Sequence, residues 1–572
     1  MNDNHRAAHD NYEDFYDGRM YANFVASLPE DERRSYLTAT FNSDGSPVFK
    51  SSKFSVWPIQ MNVNEVPPAV RTKRPLTYAL WFGHDKPNMN IFLKPFVEGI
   101  NKLSQTGIVC EIRNERKTIK VYALCCCVDL VARAPMQGFV QFNGYYGCPW
   151  CLHPGELIAH NTGAAIKYIL LNEIPERRSE ERTVVHIQEA LDTGNSAYGV
   201  KKVTPLLVLN KFNIIDGFVP DPMHCIDLGI AKQFCEYWFN SSQKPFSISN
   251  ADMERIDNYI KSFKVPTQLA RLSRSIKDQK FWKAREWENW ILFYSLPILR
   301  EIYGFARYLK HWSFARAFYL LQKNSITQDE LIIADQLLRD FVAETECLYT
   351  KDAMTFNIHQ LLHSGYIFES GNGKIVRSVH ATKGVVSQVC RNLSMSESIV
   401  LMDQHLSEKE ESAAREYCFY LENRVTRKTL KMGINRYFGR SSVPDARFMQ
   451  NIAEDDRYRY KSYKKIIKNQ CVYKSCKKVL HRSNNSFVQT RNQQYVQLIE
   501  FVIDIENNTE LTLCNIIEVE NGFDVCTNLQ RIVRIQENVT VIDTSDIDKL
   551  CVWMIIDRKQ YICAVPNMYW YS

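Results

Sequence analysis

The sequence predicts an α/β protein in which a strand-rich core is interrupted by a long helical insertion and followed by a small β-domain. Three observations carry this. Alternating apolar and polar residues mark strands on either side of Asn42-Ser43-Asp44-Gly45, and a further strand, a helix and a strongly apolar strand follow. From about residue 157 to 350 the pattern becomes long amphipathic runs such as REWENWILFYSLPILREIYGFARYL. From about residue 486 strand-like runs return, among them YVQLIEFVIDI and LCVWMIID.

The elements follow in chain order. Residues 1–34 form a polar lead-in with a short helix. SYLTATFNSDGSPVFKSSKFSVWPIQMNV reads as a hairpin, because two strand-forming runs flank an Asp-Gly turn, and Asp44 stands at the end of the first strand. PLTYALWFG (Pro75 to Gly83) is a third strand, and MNIFLKPFVEGINKL (Met89 to Leu103) has helical spacing. KTIKVYALCCCVD returns to strand. Its apolar run from Val121 to Val128, with Cys125, Cys126 and Cys127 acting as small hydrophobes, reads as a buried strand that ends on Asp129. The expected boundaries are a first core segment at 35–156, the insertion at 157–350 and a second core segment at 351–435. A basic linker at 436–485 and the β-domain at 486–572 complete the chain.

Composition narrows the class. Hydrophobic residues make up 45% and aromatics 12% of 572 residues, which excludes a disordered chain. No stretch reaches the roughly 18 to 20 apolar residues that span a membrane, and the polar, acidic start does not read as a signal peptide. A protein of a reducing compartment is expected, where paired cysteines point to zinc before disulfides. The net charge of +7 permits a polyanionic partner without requiring one.

Two constellations stand out. Asp44 and Asp129, at the ends of strands, with Glu369 from a later segment, are hard oxygen donors of the type that hold paired Mg²⁺ ions for phosphodiester chemistry. The plain alternatives are a turn residue for Asp44 and a surface or helix-cap acid for Glu369. Cys148-Pro-Trp-Cys151 together with His359 and His363, one helical turn apart, make a Cys₂His₂ set suited to tetrahedral zinc. Two satisfied helix-face histidines are the alternative there. Asp221-Pro-Met-His224 offers an accessory polar pair or, more simply, a cap for the helix beginning near Ile226. The basic run from Tyr463 to Arg482, with interleaved tyrosines, reads either as a phosphate-tracking surface or as a solvated linker.

The segments VDLVARAPMQGFVQFNGYYGCPWC, DPMHCIDLG, REWENWILFYSLPIL and IFESGNGKIVRSVHATKG, in this order, resemble the animal-type transposases of the CACTA (En/Spm-like) superfamily. The catalytic core of the V(D)J recombinase is more distantly similar. The resemblance covers roughly residues 35–384 and implies an RNase H-like core carrying a DDE triad of Asp44, Asp129 and Glu369. It further implies Mg²⁺ or Mn²⁺ at the triad and a structural Zn²⁺ on Cys148, Cys151, His359 and His363. DNA, as transposon ends and target, is the implied partner of a nuclear protein that oligomerises to bring two ends together. No membrane partner is implied. No zinc-finger, homeodomain or helix-turn-helix pattern precedes Asp44, which leaves three readings: a fragment or internal product of such an element, a domesticated protein, or DNA reading by the insertion and the C-terminal region. A domesticated nuclear DNA-binding or scaffolding protein without turnover is the alternative function.

Overall fold

The computed structural model describes residues 11–47, 54–67, 71, 75–112, 114–160, 163–241, 244–269, 271, 274–363, 429–469, 471–478, 483–522 and 528–567. The fold is mixed α/β and divides into two compact units. The first comprises Met1–Asn250, Trp282–Leu292 and Ile302–Lys383, and the second Ala251–Phe281, Phe293–Glu301 and Gly384–Ser572.

The first unit is built on one sheet. After helix α1 (Arg19–Ala26) come β1 (Tyr36–Asn42), β2 (Ser55–Val63) and β3 (Leu76–Gly83), which pair antiparallel in the order β3-β2-β1. Helix α2 (Met89–Thr106) follows, capped by the Asn88 side chain at one end and closed by Gly107 at φ +69° at the other. A hairpin of β4 (Ile108–Ile112) and β5 (Glu115–Cys127) then returns the chain to the sheet. β5 divides in two: its first residues are exposed against β4, while Val121 to Cys127 are buried and lie parallel to β1. A strand apolar on both faces is the expected occupant of a sheet centre, with neighbours on each side. The second neighbour is β6 (Phe218–Val219), also parallel to β5. Phe41 of β1 packs on Phe96 of α2 and on Phe212, with ring centroids 4.8 and 5.5 Å apart, and these contacts lie in the main core.

The remainder of the first unit is mainly helical. Helix α4 (Lys232–Asn240) sets Phe234 and Trp238 among Trp312, Phe341 and Tyr349, with α5 (Gln328–Tyr349) carrying the last two. Thr327 and Glu330 form a capping box at the start of α5. α6 (Phe356–His359) runs on into a 3₁₀ turn at Gln360–His363.

In the second unit, a four-stranded sheet is made of β7 (Thr429–Met432), β8 (Asn435–Phe438), β9 (Lys465–Lys468) and β10 (Cys471–Lys474), in that order. Six further strands follow: β11 (Phe487–Thr490), β12 (Tyr495–Asp504), β13 (Thr509–Asn521), β14 (Leu529–Asp543), β15 (Ile547–Ile556) and β16 (Lys559–Ala564). They pair in the order β12-β11-β15-β16-β14-β13, and β13 pairs back to β12, so the sheet closes on itself and leaves no edge in that ring.

Three boundaries differ from the sequence reading. β6 lies inside the stretch expected as insertion, because two residues are too short to show a period. Residues 251–281 and 293–301 group with the second unit although their pattern is helical. The expected basic linker at 436–485 carries the strands β8, β9 and β10. There, basic residues are scattered through the short strands, with Lys468 buried, and Asn469, at φ +48°, turns β9 towards β10.

Candidate active site and metal centre

The register of the sheet fixes where the acids stand. Phe41 of β1 and Phe218 of β6 both lie opposite Cys126 of β5. Asp44, Asp129 and Asp221 each stand three positions beyond that row, where three adjacent parallel strands end. Neighbouring strands are about 4.8 Å apart, so the three acids share one end of the sheet.

Each acid is held by its local structure. Asp44 is exposed in the turn after β1, and the neighbouring Gly45 is required because a Cβ there would collide with the Trp57 ring. Asp129 caps helix α3 (Leu130–Gln137): its Oδ1 accepts from the Ala132 amide at 2.6 Å, which leaves Oδ2 outside the cap. Gly138, at φ +79°, closes that helix. Asp221 is buried. Its Oδ1 accepts from the Met223 amide at 2.9 Å, and its Oδ2 pairs with His224 Nδ1. These residues open a nine-residue π-helix, Met223–Ala231, a form that recurs at functional sites. Burial would lower the His224 pKa, but the hydrogen bond and charge of Asp221, with the charges of Asp129 and Asp44, outweigh it and raise the value. His224 therefore lies in the combined field of all three acids. Glu369 lies outside the described residues.

The second cluster is tighter. The ligand atoms of Cys148, Cys151, His359 and His363 all lie within 4.8 Å of one another. Cys148 Sγ is 3.4 Å from His363 Nε2, Cys151 Sγ is 3.3 Å from His359 Nε2, and the two Nε2 atoms are 3.4 Å apart. Ligands about 2.0 to 2.3 Å from a common centre at tetrahedral angles would stand roughly 3.3 to 3.8 Å apart, so the donor set fits a zinc ion. Among the described residues no trio of carboxylates converges as closely. Burial pushes the Cys148 thiol up, but the hydrogen bond from Cys151 and the charges of His363 and His359 win and hold it well below its usual range. Cys151, which keeps its proton for that bond, is raised.

Two buried arginines support the cysteine loop, and sequence reasoning identified neither. Arg178 donates from Nε to the Cys148 carbonyl at 2.9 Å, and from one terminal nitrogen to the carbonyls of Tyr146 and Tyr198. The Arg133 guanidinium lies 4.3 Å from the centroid of the Trp150 ring. Burial pulls its pKa down to about 10, partly offset by the charge of Cys148. Arg133 lies within the segment VDLVARAPMQGFVQFNGYYGCPWC and Arg178 outside every quoted segment, and neither stands at a spacing that marks it.

The two clusters are physically joined. Trp150, between the cysteines, donates from Nε1 to the carbonyl of Phe218 at 3.1 Å, and so ties the loop to β6 just before Asp221. Thr355, one residue before α6, donates to Gln233 Oε1 at 2.9 Å, and Gln233 Nε2 donates to the Ala353 carbonyl at 2.8 Å. Cys225 Sγ contacts the Asn357 carbonyl at 3.5 Å. The helix that begins beside Asp221 therefore braces the segment that carries both histidines. The alignment of Asp221 with the other two acids was not evident from the sequence. Its only local signal is the apolar pair Phe218-Val219 closed by Pro220.

Residues 12–189 match the family model described as Transposase family tnp2. The match spans Asp44, Asp129, Cys148 and Cys151, and the similarity supports transposition, a DNA-processing activity, for this segment. No curated protein matches the chain. Among the described residues no helix is long and apolar enough to cross a membrane.

Proposed function

We propose that the chain is a DDE-type DNA transposase of the CACTA-like kind, with an RNase H-like core and a structural zinc centre. The observation that carries this reading is the position of Asp44 and Asp129 beyond the ends of adjacent parallel strands, within the segment that matches a transposase family. The two aspartates, with Glu369, would hold Mg²⁺ or Mn²⁺, and oxygen donors on separate elements suit such hard ions. The bound metal would activate water and then a 3′-hydroxyl, and stabilise the leaving oxygen. Asp221 would act as a positioning residue that orients His224 at the same end of the sheet. Zinc on Cys148, Cys151, His359 and His363 would fix the chain just before Glu369 and so limit where that carboxylate can reach. The nuclear location, the paired DNA ends and the oligomer that holds them belong to the same proposal.

Metal binding tests the reading without any knowledge of the DNA substrate. In a Mn²⁺ titration followed by electron paramagnetic resonance, the wild-type chain is expected to bind the ion. Asp44→Asn and Asp129→Asn are each expected to weaken that binding at least about tenfold, on the order of 1.4 kcal/mol, with zinc content unchanged. Equal Mn²⁺ affinity in all three proteins would remove the two aspartates from the metal site. Binding without any DNA cleavage would favour the domesticated, non-catalytic alternative.

A further inference from the structure

We propose that the open edge of strand β3 is a self-association surface, along which two copies of the chain pair antiparallel across a two-fold axis. Its purpose, holding two DNA ends together, rests on the transposase reading; the existence of the edge does not.

Composition comes first. β3 reads Leu-Thr-Tyr-Ala-Leu-Trp-Phe-Gly, with no charged residue and no proline, and large apolar side chains fall on both of its faces. A strand of that kind belongs inside a sheet, with a neighbour on each side. Among the described residues, however, β3 pairs with β2 alone and stands at the edge. Edge strands ordinarily carry charges or proline that discourage pairing with another chain, and β3 has neither.

The register shows which part of the edge is regular. A shift between Ile59 and Gln60 leaves Tyr78 without a residue opposite it on β2. Tyr78 turns towards α2, where its hydroxyl donates to the Pro95 carbonyl at 3.1 Å and its ring lies 5.2 Å from that of Phe96. From Ala79 to Gly83 the pairing runs without interruption, opposite Ile59 to Ser55. On this stretch Leu80 and Phe82 share one face, two positions apart, while Trp81 on the other face packs against the core. Leu76, Tyr78, Leu80 and Phe82 are 54, 39, 44 and 56% exposed.

A second copy is the occupant that fits. A two-fold axis through Trp81 sets Leu80 of each copy opposite Phe82 of the other, and opposed apolar pairs of this kind stabilise a sheet. The same register places His84, Asp85 and Lys86 against Tyr78, Thr77 and Leu76 of the other copy, so no like charges meet. An interface built from one patch on both copies requires this self-complementarity. The four side chains leave on the order of 400 Å² open per copy, about 800 Å² for the pair. With the backbone edge added, this approaches the roughly 1,000 Å² of a specific but weak interface, so Kd is expected in the micromolar range.

Sedimentation equilibrium of the full chain, without DNA or Mg²⁺, tests the pairing. Wild type should dimerise. Leu80→Glu/Phe82→Glu should raise Kd at least about 10²-fold, and so should Leu80→Lys/Phe82→Lys, because each sets like charges opposite one another. An equimolar mixture of the two variants should recover a mixed dimer with Kd within about tenfold of wild type, since each new acid then meets a base. Without any substitution, hydrogen exchange at residues 79–83 should slow as the wild-type chain is concentrated past Kd. A wild type that stays monomeric at about 100 µM, well above a micromolar Kd, would overturn the proposal. So would an acidic variant that associates like the wild type, a mixture that stays monomeric, or a dimer whose exchange at 79–83 is unchanged. A dimer that cleaves no DNA would leave this interface standing and remove the transposase reading. Cleavage by a monomeric wild type would remove the interface alone.

Discussion

Cys148 and His363 show how far single residues could be read. A C-x₂-C pair and two histidines one helical turn apart are chemically distinctive, so the sequence alone could group them. The four residues selected in that way are the four whose ligand atoms converge. The carboxylates were harder. Asp44 sits in an Asp-Gly turn and Asp129 caps a helix, so each has a complete structural explanation of its own. Only the register of β1, β5 and β6 shows that they and Asp221 share one end of the sheet. Substituting Cys148 separates the two clusters experimentally. Metal analysis by mass spectrometry should find about one zinc per wild-type chain and none in Cys148→Ser. Because structural zinc contributes several kcal/mol and about 1 kcal/mol shifts the midpoint of a large domain by roughly 2–4 °C, Tm should fall on the order of 10 °C. Retention of zinc by Cys148→Ser would rule out this ligand set.

At the scale of elements, long periodic segments were legible and short ones were not. The third strand, helix α2 and the apolar strand β5 announce themselves by period and by length, whereas the expected Asp-Gly turn does not close β1 on β2, where Asn42 stands opposite Gln60. β6 does not, because it has two residues. The strands of the β7–β10 sheet are only four residues each and carry scattered basic residues, so they read as linker until pairing is known. The helical part of the first unit depends on an aromatic cluster that also holds a buried base. His311 is 1% exposed, its ring stacks on Phe341 at 4.3 Å, and its Nε2 lies 3.0 Å from Thr345 Oγ1. Burial pushes its pKa from 6.5 down to about 3. The folded state therefore binds fewer protons than the unfolded state between these values, so its stability is complete above pH 6.5 and falls as pH drops towards 3. At pH 5 the loss from this one group should be about 2 kcal/mol. Urea midpoints measured at pH 7 and pH 5 should show that decline in wild type and a smaller one in His311→Gln. Equal declines in the two proteins would mean that other groups set the acid sensitivity.

For the whole molecule, the candidate site lies in one of the two units. The first holds the strand-end acids and the Cys/His cluster, and the second holds a closed β-barrel with a basic sheet packed through Lys468. The proposed function was legible only through the order of the motifs, because 64 acidic residues make any single carboxylate uninformative by itself. The central claim, metal-dependent DNA chemistry at Asp44 and Asp129, is tested most directly by a cleavage assay. The substrate is a duplex ending in the inverted repeats that flank the coding sequence, with Mg²⁺ or Mn²⁺ and end-labelled strands. Wild type should release a free 3′-hydroxyl only when metal is present, and Asp129→Ala should lower the rate by at least about 10³-fold, on the order of 4 kcal/mol of barrier. Cleavage by Asp129→Ala at the wild-type rate would contradict the account.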